Sequence, residues 1–257
     1  MNDLPCVILA GGLGTRLRES TEFRPKPMVE INGKPILWHI MKIYDTYNVK
    51  KFIICAGYKA EIIKNYFLHF QSLNQDFTID FANSNIKYFD SIDEWKVTIS
   101  DTGQNTMTGA RILKIKKYIN SSTFFCTYGD GVADINISEL LNFHRSHKKI
   151  ATMVVVKQPS RFGVVDLDNN KVVSFNEKPV VDGWVNAGFF IFEDKIFDYL
   201  DEYSVLENEP LSNLVKDNNL MAYQHNGFWQ AMDTYREQQL LENLVKSNNA
   251  PWVKWEK

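Results

Sequence analysis

Three features near the N-terminus could do chemistry on phosphates. The apolar run Val7–Ala10 leads directly into Gly11, Gly12, Leu13 and Gly14, and Thr15 and Arg16 follow at once. Glycines let backbone N–H groups close on a ligand, and consecutive N–H groups form a concavity suited to anions. Arg16 can add a two-pronged positive charge for phosphate oxygens. Further on, Lys26 stands between Pro25 and Pro27. The prolines bias their neighbours toward extended backbone, so this lysine has surrendered chain entropy before it meets a partner. Neither familiar phosphate loop fits. A dinucleotide-binding fingerprint needs glycine where Leu17 stands, and a P-loop needs Gly-Lys-Ser/Thr where the chain has Gly-Thr-Arg. Taken alone, the turn is equally a tight turn with an incidental arginine, and Lys26 equally a solvated loop lysine.

The surrounding pattern must position these groups. Cys6–Ala10 reads as a buried strand whose carboxyl end carries the glycines, the end at which open α/β sheets bind ligands. Pro35–Tyr47 and Lys59–Gln71 show helical spacing, and Phe52–Ala56, Thr78–Ala82 and Thr123–Tyr128 read as strands, with Ala110–Ile119 helical. Strand–helix alternation predicts a parallel sheet with helices on both faces. In the second half, "TMVVVK", "FGVVDL", "KVVSFNEKP" and "GFFIF" predict antiparallel additions, and helices return over 193–203, 210–216 and 234–246. There is no Gly/Ser-rich linker and no repeat. The expectation is one domain over 1–257, with nucleotide binding mainly in 1–150, sugar-phosphate binding mainly in 151–235, and a C-terminal helix and tail over 236–257.

Composition restricts the partners. The chain has 257 residues, 44% apolar and 23% charged, with a net charge of −2, which gives no electrostatic case for nucleic acid or an anionic membrane. Its apolar runs are too short to span a bilayer, and "MNDLP" lacks a basic region ahead of a long apolar one. Cys6, Cys55 and Cys126 are widely spaced within apolar runs and read as reduced core thiols. These features together predict a soluble, cytoplasmic protein.

Several long motifs then occur in one order: "LAGGLGTRL", "PKPMVEINGKPIL", "TYGDGVADINI", "SFNEKP", "VNAGFF" and "FWQAMDT". They resemble the signatures of the sugar-1-phosphate nucleotidyltransferases and cover nearly the whole chain. "PILWHIMKIY", "FIICAGYKA", "DTGQNTMTGAR" and "GFWQAMDTYRE" are most similar to the branch that uses CTP and glucose 1-phosphate. The resemblance implies a Rossmann-like three-layer α/β fold, a mostly parallel mixed sheet with a small β-rich insertion, and release of pyrophosphate as the nucleotidyl group moves. It implies that Leu9, Ala10, Gly11, Gly12 and Leu13 present backbone to the nucleotide. Gly14, Thr15 and Arg16 would hold the triphosphate, and Lys26 the reacting phosphates. Thr106, Thr108, Gly109 and Arg111 would add nucleotide contacts. Lys178, beside Glu177, would bind the sugar phosphate, and Asn186 and Gly188 would line the sugar pocket.

By the same resemblance Asp130 and Asp233 would hold Mg²⁺, with Arg16, Lys26 and Asp130 the catalytic group. Mg²⁺ prefers oxygen ligands and is often held by one or two carboxylates plus substrate phosphates. On its own, Asp233 reads as a cap for the helical pattern that follows it. A homo-oligomer is expected, and a product feeding deoxysugar synthesis for surface polysaccharides. The alternatives are another pyrimidine nucleotide or sugar 1-phosphate, and a non-catalytic sugar-nucleotide-binding paralogue. His144 and His147 have ligand spacing but lack a nearby third ligand, so "FHRSHKK" reads as a solvated helix end. His39, His69 and His225 read as packed, and the tryptophans near the C-terminus as core or subunit contact. "SRFG" (Ser160, Arg161, Phe162) and Ala231 depart from the family pattern without removing a charge or metal ligand.

Overall fold

Pro5–Ala10 forms strand β1, and every one of its residues is buried. Cys6, Ile8 and Ala10 face one apolar cluster and Val7 and Leu9 the other, the period-2 alternation of a strand covered on both faces. This computed structural model describes residues 1, 3–14, 21–89, 93–158, 163–177 and 183–255. Around β1 lie α1 (Ile36–Asp45), β2 (Lys51–Ala56), α2 (Ala60–Leu68), β3 (Lys96–Asp101), α3 (Thr108–Lys114) and β4 (Thr123–Tyr128). After them come α4 (Ile137–His147), β5 (Ala151–Val156), β6 (Val185–Glu193), α5 (Glu209–Lys216), β7 (Leu220–His225) and α6 (Tyr235–Lys246).

The seven strands form one sheet in the order β7-β5-β6-β4-β1-β2-β3. β1 runs parallel to both β2 and β4, with Val7 opposite Ile53 and Cys126. Only β6 runs against its neighbours, with Phe190 opposite Cys126 on one side and Met153 on the other. Ile40, Leu140, Leu241 and Trp252 pack on one face, while Ile112, Ile196, Leu211 and Leu214 pack on the other, giving the three layers. Cys6, Cys55 and Cys126 are buried and unpaired. Among the described residues no helix is long and apolar enough to cross a membrane.

Several expectations are corrected. The segment read as a third sheet strand, 78–82, instead lies in an exposed hairpin of Phe77–Asp80 and Asn85–Tyr88, and the sheet edge is Lys96–Asp101. Phe77 and Ile79 stay substantially exposed, so their alternation carried no information about sheet membership. Val164–Asp168 and Lys171–Asn176 form a separate antiparallel hairpin beside the sheet, as the expected β-rich insertion. The helix expected over 193–203 is a 3₁₀ stretch, Asp194–Tyr199. His144 is not solvated but 2% exposed, in contact with Thr152 and Glu193. His69 is exposed where α2 breaks, and Trp252 belongs to the core.

Candidate active site

The carboxyl ends of β1 and β4 open into a cleft of about 450 Å³. Leu9, Ala10, Gly11, Gly12 and Gly14 border it from the glycine turn, Thr106, Thr108 and Arg111 from the segment leading into α3, and Lys26, Asp130 and Asp233 complete it. Leu13 points to solvent at 46% exposure. Gly109 is buried against Ser204 rather than open to the cleft. Glu177 is exposed, its carboxylate beside Gly163. Thr15, Arg16 and Lys178, together with Ser160, Arg161 and Phe162, lie outside the described residues.

Asp130 and Asp233 are far apart in sequence and are joined by a short ribbon. Gly131–Ala133 pairs antiparallel with Trp229–Ala231, and the Met232 amide donates to the Asp130 carbonyl at 2.8 Å. The ribbon delivers both carboxylates to one point, where Lys26 Nζ donates to Asp130 Oδ2 at 2.6 Å and to Asp233 Oδ1 at 2.5 Å. Burial works against the Lys26 ammonium, but Asp130 and then Asp233 outweigh it and hold its pKa above the ordinary lysine value. Two carboxylates against one ammonium leave a net negative charge at hard oxygen donors. Oxygen donors of this kind are what Mg²⁺ takes, and Asp130 and Asp233 are the residues that could hold it. Asp233 does not cap α6. Thr234 does, in a capping box with Glu237, whose carboxylate also accepts the Asp233 amide at 2.7 Å. The Asp233 carboxylate is therefore turned to the cleft.

Arg111 is 4% exposed, and both terminal nitrogens of its guanidinium donate to oxygen acceptors. Its Nη1 donates to Thr102 Oγ1 at 2.6 Å and to the Gly103 and Ala56 carbonyls at 2.9 and 3.2 Å. Its Nη2 donates to the carbonyls of Gly11 at 3.0 Å and Gln104 at 3.2 Å. The guanidinium ties the glycine turn, the end of β2 and the 102–104 loop together, and no carboxylate among the described residues pairs with it. A Cβ on Gly11 would lie 2.0 Å from Nη1, so glycine here makes room for a buried charge beneath the turn.

Two further cleft residues, Tyr128 and Glu207, were not among the expected site residues; Tyr128 lay within a recognised motif, and Glu207 carries no local signal. Tyr128 Oη donates to Glu207, Thr108 Oγ1 donates to the other carboxylate oxygen at 2.7 Å, and Asn186 Nδ2 donates to Tyr128 Oη at 3.2 Å. Asn186 and Gly188 thus reach the cleft through Tyr128. Gly188 has φ +78°, and a Cβ there would strike the Tyr128 ring at 2.5 Å.

The nucleotidyl transferase family profile matches residues 6–242. The chain is 46% identical over 257 residues to a glucose-1-phosphate cytidylyltransferase of Salmonella typhi, covering 98% of this chain and 100% of that one. It is 42% identical over 254 residues to a probable glucose-1-phosphate cytidylyltransferase of Bacillus subtilis, covering 98% and 100%. A crystal structure of a putative glucose-1-phosphate thymidylyltransferase from Bacillus anthracis superposes with TM-score 0.70 at 17% identity, covering 99% and 98% of the two chains, a likeness of fold.

Proposed function

We propose, since the chain belongs to the nucleotidyl transferase family, that it transfers the cytidylyl group of CTP to α-D-glucose 1-phosphate, giving CDP-glucose and pyrophosphate. The observation that carries this reading is the 46% identity, over nearly full length, to a glucose-1-phosphate cytidylyltransferase. The convergence of Lys26, Asp130 and Asp233 at the mouth of the glycine turn is consistent with it.

The chemistry asks little of the side chains beyond charge and position. A phosphate monoester has a second pKa near 6, so the sugar phosphate is mostly a dianion at neutral pH and can attack the α-phosphorus without a general base. The enzyme's task is to hold two mutually repelling anions in line and to offset charge as pyrophosphate departs. Lys26, an ammonium at every physiological pH, supplies one positive charge to the reacting phosphates. The Gly11–Gly14 backbone offers N–H donors to the nucleotide, and Arg111 fixes the shape of that turn. Arg16 and Lys178 are proposed to add charge to the triphosphate and sugar phosphate respectively. Mg²⁺ on Asp130 and Asp233 would supply charge neutralisation at the transferred phosphate. The reaction is then a single displacement with no covalent enzyme intermediate, and a trapped nucleotidyl–enzyme adduct would refute it.

Two apolar hairpins standing clear of the sheet support a homo-oligomer, because an isolated two-stranded ribbon is marginal in water. A cytoplasmic location, where CTP is made, suits the reaction. The deciding test is pyrophosphate release with Mg²⁺ and glucose 1-phosphate, supplying CTP, UTP, dTTP, ATP and GTP separately. Release with CTP, lost in Asp130→Ala, is expected. Preference for another nucleotide would retain the mechanism and overturn the assignment of the base. Silence with all five nucleotides and with a panel of sugar phosphates would favour a non-catalytic binding protein.

A further inference from the structure

Among the described residues, Glu207 is the one charged cleft residue that the reaction above does not use. It precedes α5, is exposed to the cleft, and both of its carboxylate oxygens are fixed by hydroxyl donors. The donors are themselves oriented. The Leu206 amide donates to Thr108 Oγ1 at 2.9 Å, which directs the threonine hydrogen onto Glu207. The Gly188 amide donates to Asn186 Oδ1 at 2.8 Å, and Asn186 Nδ2 donates to Tyr128 Oη, which directs the phenol hydrogen onto Glu207. Burial and the nearby Glu207 charge both raise the Tyr128 pKa, so the phenol keeps its proton. Every donor in this chain ends at one carboxylate, and no cation among the described residues pairs with it.

A carboxylate has room for about four hydrogen bonds, so acceptor capacity remains on the cleft side. Phosphate oxygens are excluded from that position by like charge. What remains to a sugar phosphate and a nucleoside triphosphate is an uncharged N–H or O–H donor. We propose that Glu207 is a specificity-determining residue that accepts a hydrogen bond from such a donor on one substrate, either the 4-amino group of cytosine or a hydroxyl of the hexose. Carboxylate acceptance from the cytosine amine is a recurrent pairing, and uracil would turn a carbonyl oxygen toward the same charge. This inference rests on the proposed cytidylyl transfer and names what one wall of that site reads.

The test compares wild type and Glu207→Gln in steady-state pyrophosphate release, with CTP and UTP, and with glucose 1-phosphate and its 2-, 3-, 4- and 6-deoxy analogues. If the amine is read, kcat/KM for CTP falls about 10- to 100-fold, as for a lost hydrogen bond to a charged group. The UTP value then holds or rises, and KM for glucose 1-phosphate is unchanged. If a hydroxyl is read, KM for glucose 1-phosphate rises by a similar factor at unchanged KM for CTP. The deoxy analogue lacking that hydroxyl is then used equally by both proteins. Tyr128→Phe, which keeps the ring and the carboxylate but removes one positioning bond, should shift the same parameter by less. No change, or an equal fall for every substrate, overturns the proposal. Wild-type preference for a different nucleotide or sugar overturns the proposed function instead, and the same comparison is then run on the pair the wild type uses.

Discussion

At the scale of single residues, ionisation states follow from what each group touches. His39 is 3% exposed, with Nε2 at 3.0 Å from the Ile31 carbonyl and Nδ1 accepting from the Trp252 indole N–H at 3.4 Å. That pattern fits the neutral tautomer with its proton on Nε2, and burial pushes the pKa down from 6.5 to about 4. The unfolded chain therefore binds a proton between pH 6.5 and 4 that the folded chain refuses. Stability is full above that window and is lost as pH falls through it, by at most about 3 kcal/mol. His144, also lowered by burial, adds in the same direction. Urea unfolding at pH 7 and pH 4.5 checks this: wild type should lose stability on acidification, and His39→Gln should show a shallower loss. Equal losses would show that His39 is not responsible.

At the scale of elements, the Gly131–Ala133/Trp229–Ala231 ribbon and the start of α6 decide where the acidic pair sits. The ribbon is anchored sideways by the Trp229 indole N–H, which donates to the Ala187 carbonyl on β6 at 2.8 Å. It is anchored below by Lys254 Nζ, which donates to the Asp134 carbonyl at 2.7 Å. The capping box at Thr234 then turns the chain immediately after Asp233. Thr234→Ala should cost about 1 kcal/mol of stability, seen as a fall of about 2–4 °C in Tm for a chain of this size. Because the capping residue is next to Asp233, the same variant should raise the Mg²⁺ concentration needed for half-maximal activity. A fall in Tm with unchanged Mg²⁺ dependence would mean that the cap does not position the carboxylate.

At the scale of the whole molecule, apolar surface is unevenly placed. Phe81 is 86% exposed on one hairpin and Phe175 63% exposed on the other, and contiguous exposed apolar patches mark interfaces. In the proposed oligomer these faces are covered. Phe81→Asp combined with Phe175→Asp is expected to lower the mass measured by analytical ultracentrifugation, with far-UV circular dichroism unchanged. A wild-type chain that sediments as a monomer would refute the oligomer outright.

What the sequence determined by itself is local. Val7–Ala10 is apolar at every position and Gly11–Gly14 is nearly bare, so the buried strand and the turn at its carboxyl end were legible without any contact partner. Lys26 was not: the flanking prolines predicted extended backbone and a solvated lysine fitted equally, whereas it opens the 3₁₀ turn Lys26–Met28 and is 9% exposed. Contiguous motifs carried the family. Tertiary structure alone decided the rest, because each remaining feature depends on residues far apart in the chain. The sheet edge fell to Lys96–Asp101 rather than 78–82, since a strand's place depends on which neighbour accepts its hydrogen bonds, and alternation exists equally in an exposed hairpin. Asp233 could be read as a cap until Thr234 was seen to occupy that role. Glu207 meets Tyr128 across 79 positions and Thr108 across 99, and no local pattern records a pairing made by folding.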